Sequence, residues 1–371
     1  MAEAGALEAR RRAAQTAPAA ASPRPVAGRG DQHRGRAYVV IVNFGDPSDT
    51  LECLETLFRM DYPDFRVVVC DNAATATSFD ALRAWADGAR QAIAAGVTGR
   101  CLLPAPVQKP IPYEVLTAEA VIDGQLDPEA HASLVFVRSP TNRGFAGGCN
   151  LGLRYAMADR EAAWFWLLNN DTAVMPDALT ALVAHSADRP EIGLCGSTLI
   201  YYDAPDRLQA LGGGRYDPWL GRMHLLGFQQ KPGPGMAAAP DDLDFVHGAS
   251  MLVRRSFVET VGLMDEDYFL YFEELDWTAR AAGRYALGHA PGSVVFHKEG
   301  ASAGSTTREP ARRSRTSDYH GLRSRLLYTR RHKPWALPTV WLGLWAVLAN
   351  RIRRSQWDRV PMILSLMAGR T

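Results

Sequence analysis

An apolar run passes directly into polar residues in Trp164-Phe165-Trp166-Leu167-Leu168-Asn169-Asn170-Asp171-Thr172. A short unbroken apolar run with aromatic residues is typical of a strand that is buried on both faces. The polar residues would then lie at the carboxyl end of that strand, which is the edge where open α/β sheets bind ligands. An Asp flanked by amide side chains can hold a divalent cation against a diphosphate. The alternative is a polar turn that closes the strand, since Asn and Asp are common turn residues.

Two further strands with a helix between them place this run in an α/β fold. Residues 38–43 and 65–71 are rich in Val and Ile, and between them Leu51, Leu54 and Leu57 recur at helical spacing. A strand, a helix and a strand within about 35 residues form a βαβ unit with parallel strands. We therefore predict a Rossmann-like, mostly parallel central sheet flanked by helices.

The rest of the chain continues this alternation. Further strands are predicted at residues 134–138, 192–201, 245–253 and 287–297, and helices from the loop 142–150 to about Ala158, after Pro176, and ending near Gly283. We interpret the less regular, Pro-rich residues 73–132 as an insertion in the same domain. Residues 212–235 are rich in Gly and Pro and are expected to form hairpins and loops.

Charge is distributed unevenly along a chain whose net charge is +1. Residues 1–36 carry seven Arg against three acidic residues, and residues 308–371 carry 14 Lys and Arg against three acidic residues, which leaves residues 37–307 with a net charge of −14. This pattern argues against a nucleic-acid partner. An acidic body with a basic tail indicates a tail that meets an anionic partner, such as a membrane surface.

The cysteines and the first residues bear on the compartment. The five cysteines are odd in number, scattered and without a CxxC pair, which argues against a disulfide framework or a zinc site and fits a reducing compartment. Residues 1–36 are rich in Ala, Arg and Pro and lack the apolar core of a signal peptide. We predict a disordered leader there and a cytoplasmic protein.

The tail, residues 306–371, is predicted to be helical. Its apolar part, residues 334–350, is too short for a bilayer span, which needs about 20 residues. Four tryptophans, Trp335, Trp341, Trp345 and Trp357, stand near arginines, a combination that suits a helix lying at the membrane interface. The alternative is an amphipathic helix that packs on the body of the protein.

Polar clusters follow strands or open helices at five places. They are Asp71-Asn72, Asn142–Asn150, Asn169–Asp171, Glu273–Asp276 and His297. Each has an ordinary structural explanation: a turn, close packing of glycines, a complement to a helix dipole, or a buried histidine. Their joint occurrence in this order favours one shared site.

With these clusters the chain resembles the family 2 glycosyltransferases of the GT-A fold, and within them the rhamnosyltransferase-like branch that builds bacterial surface polysaccharides. The resemblance covers residues 37–300. The matching motifs are Val39–Phe44, Val69–Asn72, Asn142–Gly152, Leu167–Asp171, Gly248–Arg255 and Phe269–Trp277. We therefore expect a GT-A domain at residues 37–305 and a C-terminal helical extension at residues 306–371.

The resemblance implies roles for individual residues. Asp171 would be a metal ligand, at the position of the family's DXD-type motif, and His297 would be the second protein ligand of Mg²⁺ or Mn²⁺. Asp71 would recognise the nucleotide base. Glu274 stands where the family has its catalytic base, although the pair is Glu-Glu here where the family has Glu-Asp, so Glu273 stays an alternative.

The remaining candidate residues come from the same motifs and their neighbours. Asp276 is a third candidate for the catalytic group. The candidates for nucleotide-sugar binding are Asn43, Asp71, Asn72, Asn142, Gly144, Phe145, Asn150, Asn169 and Asn170, and those for acceptor binding are His247, Gly248 and Trp277.

The implied reaction is an inverting transfer from a nucleoside-diphosphate sugar to a glycan or polyprenyl-linked acceptor, with rhamnose as a candidate sugar. It needs a carboxylate base for the acceptor hydroxyl, worth about 10²–10⁴-fold, and a cation for the departing diphosphate. The site of the reaction is expected at the cytoplasmic face of the cell membrane. A sugar nucleotidylyltransferase is an alternative, but residues 43–48 lack the Gly-rich basic loop that it needs after the first strand. A non-catalytic nucleotide-sugar-binding protein is another.

Overall fold

The computed structural model describes residues 35–94, 96–103, 105–126, 132–233, 243–300 and 314–369. The predicted leader lies almost wholly outside these residues, and so do residues 306–313 of the predicted tail.

Within these ranges the strands join into a single sheet. The strands are β1 Arg36–Asn43, β2 Phe65–Asn72, β3 Tyr113–Thr117, β4 Leu134–Ser139, β5 Ala162–Asn169, β6 Thr172–Val174, β7 Ile192–Tyr201, β8 Leu208–Leu211, β9 Gly213–Asp217, β10 Arg222–Leu225, β11 Phe245–Val246, β12 Ser250–Arg254 and β13 Ala286–His297.

The helices pack on both faces of this sheet and continue beyond it. They are α1 Ser48–Leu57, α2 Ala76–Ala86, α3 Gly96–Leu102, α4 Ala118–Ile122, α5 Gly144–Ala158, α6 Ala178–Ala187, α7 Arg255–Val261, α8 Glu273–Ala281, α9 Arg315–His332, α10 Leu337–Arg353 and α11 Val360–Met367.

The centre of the sheet is parallel. Strands β3, β4, β2, β1 and β5 lie side by side and run in one direction. Strand β12 runs antiparallel between β5 and β7, and β13 runs parallel to β7. Strands β8, β9 and β10 continue the far edge as antiparallel hairpins. The predicted Rossmann-like, mostly parallel central sheet is therefore confirmed.

The core lies on both faces of the sheet because successive side chains of a strand point to opposite sides. On β1, Val39 and Ile41 join the cluster that packs against α1, α2 and α6, whereas Tyr38 and Val40 join the cluster that packs against α5, α7 and α8. The strand β5 is buried along nearly its whole length, as its apolar run predicts. Its polar end, Asn169–Asp171, therefore lies at the carboxyl edge of the sheet.

The region predicted as an insertion, residues 73–132, is partly built into the sheet. Strand β3 pairs in parallel with β4, with Tyr113 opposite Leu134. Glu55 of α1 fastens the middle of the region: its carboxylate accepts hydrogen bonds from the indole Nε1 of Trp85 and the backbone N of Val107, each at 2.9 Å, and forms an ion pair with Lys109.

The strand predicted at residues 245–253 is interrupted. The structure has two strands there, β11 and β12, which pair with different neighbours. Residues 247–249 form a turn in which the backbone N of Ala249 donates to Nδ1 of His247. The break falls at His247 and Gly248, between two short strands that are both buried.

The predicted C-terminal helical extension is confirmed. Helices α9, α10 and α11 pack around a small cluster that includes Leu326, Leu344 and Ile363. The buried carboxylate of Asp318 pairs with Arg351 and Arg359, which ties α9 to α10 and to the turn that leads into α11. No helix in the described part of the chain is both long and apolar enough to cross a membrane.

Candidate active site

Asp171 and His297 face each other at the carboxyl edge of the sheet. Asp171 follows β5, and His297 is the last residue of β13, whose end pairs with Thr172 of β6. The carboxylate Oδ1 of Asp171 lies 3.1 Å from Nε2 of His297. On the other side of the ring, Nδ1 lies 2.8 Å from the amide Oε1 of Gln209. An amide oxygen can only accept a hydrogen bond, so Nδ1 carries the hydrogen and Nε2 is directed at Asp171.

Burial and neighbouring charges together set the protonation of the histidines here. Burial lowers the pKa of His297, but the Asp171 carboxylate more than offsets this, and the net pKa is raised. The ring of His247 lies 6.1 Å from that of His297, centroid to centroid. Burial and the nearby His297 lower the pKa of His247 to about 3, so this second imidazole is neutral.

A divalent cation fits the donor atoms of this pair only with help from other ligands. No group of three His, Cys, Asp or Glu that could hold a metal ion occurs within the described ranges. Asp171 and His297 offer one carboxylate and one imidazole whose other nitrogen is fixed by Gln209, an arrangement common around bound metals. Mg²⁺ is usually held by one or two carboxylates together with water and substrate phosphates, so two protein ligands suffice for such an ion.

A chain of hydrogen-bonded polar side chains runs along the same edge. The amide Nδ2 of Asn170 donates to Oγ1 of Thr50 at 3.0 Å, and that hydroxyl donates to Oδ1 of Asn43 at 2.6 Å. Asn43 donates in turn to Oδ1 of Asp71 at 2.7 Å. Ser78 donates to the same carboxylate at 2.9 Å. The ends of β5, β1 and β2 are thereby joined, and Asp71 is the terminal acceptor.

The carboxylate of Asp71 is buried at the end of this series of hydrogen-bonded side chains. Burial raises the pKa of its carboxyl, against the lowering effect of the hydrogen bonds from Asn43 and Ser78. The carboxylate therefore depends on these two donors for its charge.

The acid pair Glu273 and Glu274 begins helix α8. Glu273 is buried and Glu274 is half-buried, and among the described residues neither Oε2 atom has a hydrogen-bond partner. Burial and the neighbouring Glu274 raise the pKa of Glu273 well above its usual value, and burial raises the pKa of Glu274 to about 7. A carboxylate with one oxygen that lacks a donor in an enclosed place is poised to accept a proton.

The backbone before the pair is unusual. Tyr271 and Phe272 have φ angles of 69° and 72°, the left-handed region that non-glycine residues seldom adopt. Two such residues in succession turn the chain sharply into α8. Strained backbone of this kind occurs often at functional sites and persists only when its surroundings hold it.

The start of α5 supports the site structurally. Asn72 donates to the backbone O of Gly144 and accepts from the backbone N of Arg143, and it also donates to Asn142. Gly144 has φ +70°, and a Cβ there would lie 2.1 Å from the backbone O of Phe269. Only glycine fits here, because any Cβ would collide with Phe269 in the loop that leads into α8.

Asn150 belongs to the same support. Its Oδ1 accepts from the backbone N of Met264, and its Nδ2 donates to the backbone O of Met264 and to Glu266. Phe145, which donates its backbone N–H to Phe269, lies 3.7 Å from the position that a Cβ of Gly248 would occupy. The predicted residues Gly248 and Phe145 are therefore neighbours.

Two predicted site residues are corrected by the structure. The indole of Trp277 is completely buried against Phe257, and its Nε1 donates to the backbone O of Gly262, so it cannot contact an acceptor. Asp276 is buried and paired with Arg280 and His332, so its carboxylate is engaged within the protein.

Several residues of the site were not predicted. Gln209 holds His297, and Thr50 and Ser78 complete the polar chain. Lys298 forms ion pairs with Asp49 at 2.5 Å and Glu52 at 2.6 Å. Only Lys298 had a sequence signal, its place directly after His297.

A model of a known protein family matches the middle of the chain. Residues 129–262 match the family model described as glycosyl transferase family 2. The matched segment contains Asp171 and His247, whereas Asp71, the acid pair and His297 lie outside it.

Two curated proteins are similar at low identity. The low-salt glycan biosynthesis hexosyltransferase Agl10 of Haloferax volcanii is 24% identical over 153 residues, which are 41% of this chain and 47% of that protein. The chain thus spans about half the length of this relative. The N-acetylglucosaminyl-diphospho-decaprenol L-rhamnosyltransferase of Mycobacterium tuberculosis is 26% identical over 293 residues, which are 68% of this chain and 89% of that protein.

A solved structure is also similar over most of the chain. The mannosyltransferase PcManGT from Pyrobaculum calidifontis, in complex with GDP-Man and Mn²⁺, covers 91% of this chain and 85% of its own, at 16% identity and a TM-score of 0.47.

The family match falls on the part of the sheet that holds Asp171, and the relatives found by sequence are hexosyl- and rhamnosyltransferases. The resemblance to family 2 glycosyltransferases that was stated from the motifs is thus confirmed over residues 129–262.

Proposed function

We propose that the protein is an inverting, metal-dependent glycosyltransferase that moves a sugar from a nucleoside-diphosphate donor to a glycan or lipid-linked glycan. The observations that carry the proposal are two unlike groups, one at the carboxyl edge of the sheet and one at the start of α8. One is the Asp171–His297 pair, and the other is an acid pair without hydrogen-bond donors to its Oε2 atoms in the described residues. The first suits a diphosphate with its cation, and the second suits a hydroxyl that must lose a proton.

Asp171 and His297 would hold Mg²⁺ or Mn²⁺, which stabilises the diphosphate as it leaves. Gln209 keeps the hydrogen of His297 on Nδ1, so Nε2 has a lone pair, which the amide Nδ2 of Asn169 meets at 3.3 Å. Asp71 and the polar chain through Asn43 and Asn170 are assigned to the nucleoside end of the donor.

Glu274 is assigned as the general base and Glu273 as the alternative. Glu274 stands at the position of the family's base and is half-buried as a residue, whereas Glu273 is buried. A pKa of about 7 leaves much of Glu274 charged at neutral pH while keeping it basic enough to take a proton. The hydroxyl oxygen of the acceptor bonds to the anomeric carbon, its proton passes to the carboxylate, and the bond from that carbon to the diphosphate breaks.

We further propose a lipid-linked acceptor at the cytoplasmic face of a membrane, with rhamnose as the candidate sugar. The support is the Mycobacterium tuberculosis relative, whose name gives an L-rhamnosyl donor group and a decaprenol-linked acceptor.

The experiment is a screen of nucleoside-diphosphate sugars for release of the nucleoside diphosphate, with Mn²⁺ and with a chelator. We expect one donor class to be turned over, faster with acceptor and only with the metal, and Asp171→Ala to abolish this turnover. Consumption of a nucleoside triphosphate and a sugar phosphate, with release of pyrophosphate, would instead indicate a nucleotidylyltransferase. Binding of donors without any turnover would indicate a non-catalytic sugar-nucleotide-binding protein.

A further inference from the structure

Helix α10 has an outer face that does not suit water. No Lys, Arg, Asp or Glu occurs from Pro334 to Asn350. One side of the helix, with Val340, Leu344 and Leu348, is buried against α9 and α11. The opposite side exposes Trp341, Leu342 and Trp345. The solvent side of a surface helix is normally charged or polar, so this face calls for another partner.

A second, distant part of the chain extends this face. The tip between β9 and β10 presents Trp219 and Leu220, which are 57% and 50% exposed. The ring of Trp219 lies 4.7 Å from that of Trp335, centroid to centroid, and Oγ1 of Thr339 donates to the backbone O of Trp219 at 2.8 Å. The six residues Trp219, Leu220, Trp335, Trp341, Leu342 and Trp345 are called the tryptophan face below.

Cationic side chains accompany the tryptophan face. Residues 314–369 carry ten Lys and Arg against two Asp, and one of the two, Asp318, is buried with Arg351 and Arg359. Arg353 and Arg354 are exposed at the carboxyl end of α10. Apolar aromatic residues next to exposed cations are the arrangement found in helices that lie in the headgroup region of anionic bilayers.

We propose that the tryptophan face binds the surface of an anionic lipid bilayer, with α10 lying in the plane of the interface and the tip of the β9–β10 hairpin inserted beside it. Charge decides against a second copy of the chain as the partner, because a symmetric contact through this face would bring two strongly cationic tails together. Aromatic side chains that are half exposed can enter the headgroup region without unfolding. The binding does not depend on the transfer reaction proposed above, so each can fail without the other.

The test is flotation of the purified full-length protein with vesicles of phosphatidylcholine alone and of phosphatidylcholine with phosphatidylglycerol. We expect binding to the anionic vesicles and much weaker binding to the neutral ones. Arg353→Gln with Arg354→Gln should weaken anionic binding by about fivefold for each cation removed. Trp219→Ser with Trp345→Ser should weaken it at least about tenfold, because each indole buries a large apolar area.

The Trp219 substitution is the most discriminating variant of this test. Trp219 lies more than a hundred positions before α10, and only the folded structure brings it to the tryptophan face. Ile93→Ser, an exposed apolar residue on the body, and Arg160→Glu, an exposed cation on the body, are the matched controls and should bind as the wild type does. The proposal is overturned if the wild type does not float with anionic vesicles, or if Trp219→Ser floats unchanged. It is also overturned if the wild type is a dimer by light scattering and the tryptophan variants are monomers.

Discussion

The Nε2 atom of His332 lies 2.7 Å from Oδ1 of Asp276, and this contact joins the first helix of the tail to the helix that begins with the acid pair. Arg331, the neighbouring residue, forms ion pairs with Asp265 and Asp267 in the loop that leads into α8. Ser324 donates to the backbone O of Leu270 in the same loop. Helix α9 therefore supports the strained turn before Glu273 and is part of the candidate active site's framework.

We expect His332→Ala to lower the transfer rate by about 10- to 100-fold while donor affinity stays unchanged, because a small displacement of α8 moves the base away from the acceptor. The measurement is kcat and donor Kd for the variant and for Arg330→Ala, an exposed neighbour that should behave as the wild type does with a soluble acceptor.

The same variant has a pH signature. Burial raises the pKa of Asp276, but the hydrogen bonds from His332 and Arg280 outweigh it, and the net pKa is lowered from its usual 3.8. A carboxyl with a lowered pKa stabilises the fold above its unfolded value, and this stabilisation is lost as the pH falls through the folded value. His332→Ala should therefore melt earlier than the wild type at pH 7 and no earlier at pH 2. A uniform loss at both pH values would indicate lost packing alone.

The two acids of the pair are expected to respond differently to isosteric substitution. Glu274→Gln keeps the size of the side chain but removes the base, so transfer should fall by about 10²–10⁴-fold with donor affinity retained. Glu273→Gln should cost less, since adjacent helical residues point about 100° apart and cannot face one hydroxyl equally. Donor affinity and transfer rate measured in both variants decide between them. A dead Glu273→Gln beside an active Glu274→Gln would shift the base by one residue, and two active variants would refute the mechanism.

The pH dependence of the reaction should report Glu274. Because burial raises its pKa to about 7, we expect kcat to rise with pH up to about that value. The stability of the fold should change in the opposite direction. A carboxyl with a raised pKa stabilises the folded state while it is protonated, and this stabilisation is lost as the pH rises from 4.5 towards 7. Glu274→Gln should therefore gain thermal stability relative to the wild type at pH 8 and not at pH 4. An equal effect at both pH values would contradict the burial of this charge.

Gln209 provides a test of the metal ligands that leaves both of them in place. Gln209→Leu removes the acceptor for Nδ1–H of His297, so the hydrogen is no longer fixed on that nitrogen. We expect Mn²⁺ affinity in the presence of a nucleoside diphosphate to fall about 10- to 100-fold, the usual effect of losing such a support. Calorimetric titration measures this, with Gln230→Leu, a glutamine on the neighbouring loop, as the control. Unchanged affinity would mean that His297 is a structural residue.

The polar chain at the sheet edge should also contribute to stability. Thr50→Val keeps the shape of the buried side chain but removes the hydroxyl that bonds Asn43 and Asn170. A buried amide that loses its hydrogen-bond partner costs about 1–3 kcal/mol. The free energy of unfolding, measured with urea, should therefore fall by that amount. Thr180→Val removes a hydrogen bond to Asp61 at the surface and should change stability by less than about 0.5 kcal/mol. Equal effects of the two substitutions would contradict the role of the buried chain.

The sequence predicted elements best where one physical cause dominates. The run Trp164–Leu168 is apolar because β5 is buried on both faces, so strand and polar end could be placed together. The roles of Asp276 and Trp277 could not be read in this way, since a helix start shows which residues are acidic but not which side each one faces. The contact between His332 and Asp276 spans 56 positions, and no local pattern marks it. The contact between the hairpin tip at Trp219 and the tail could not be predicted for the same reason: only tertiary structure brings these residues together.

The contacts of the Glu55 carboxylate limit which segments of this fold can be deleted or exchanged. It holds Trp85, Val107 and Lys109, so a shortened chain that lacked residues 90–110 would keep the buried charge and lose its short ion pair with Lys109, leaving Arg59 at 3.9 Å. Removal of one partner from a buried ion pair costs about 3–5 kcal/mol, a large part of the stability of a typical domain. The segment is therefore not a module that can be exchanged between homologous scaffolds by itself. A chimera that replaces it would have to replace Glu55 in α1 as well.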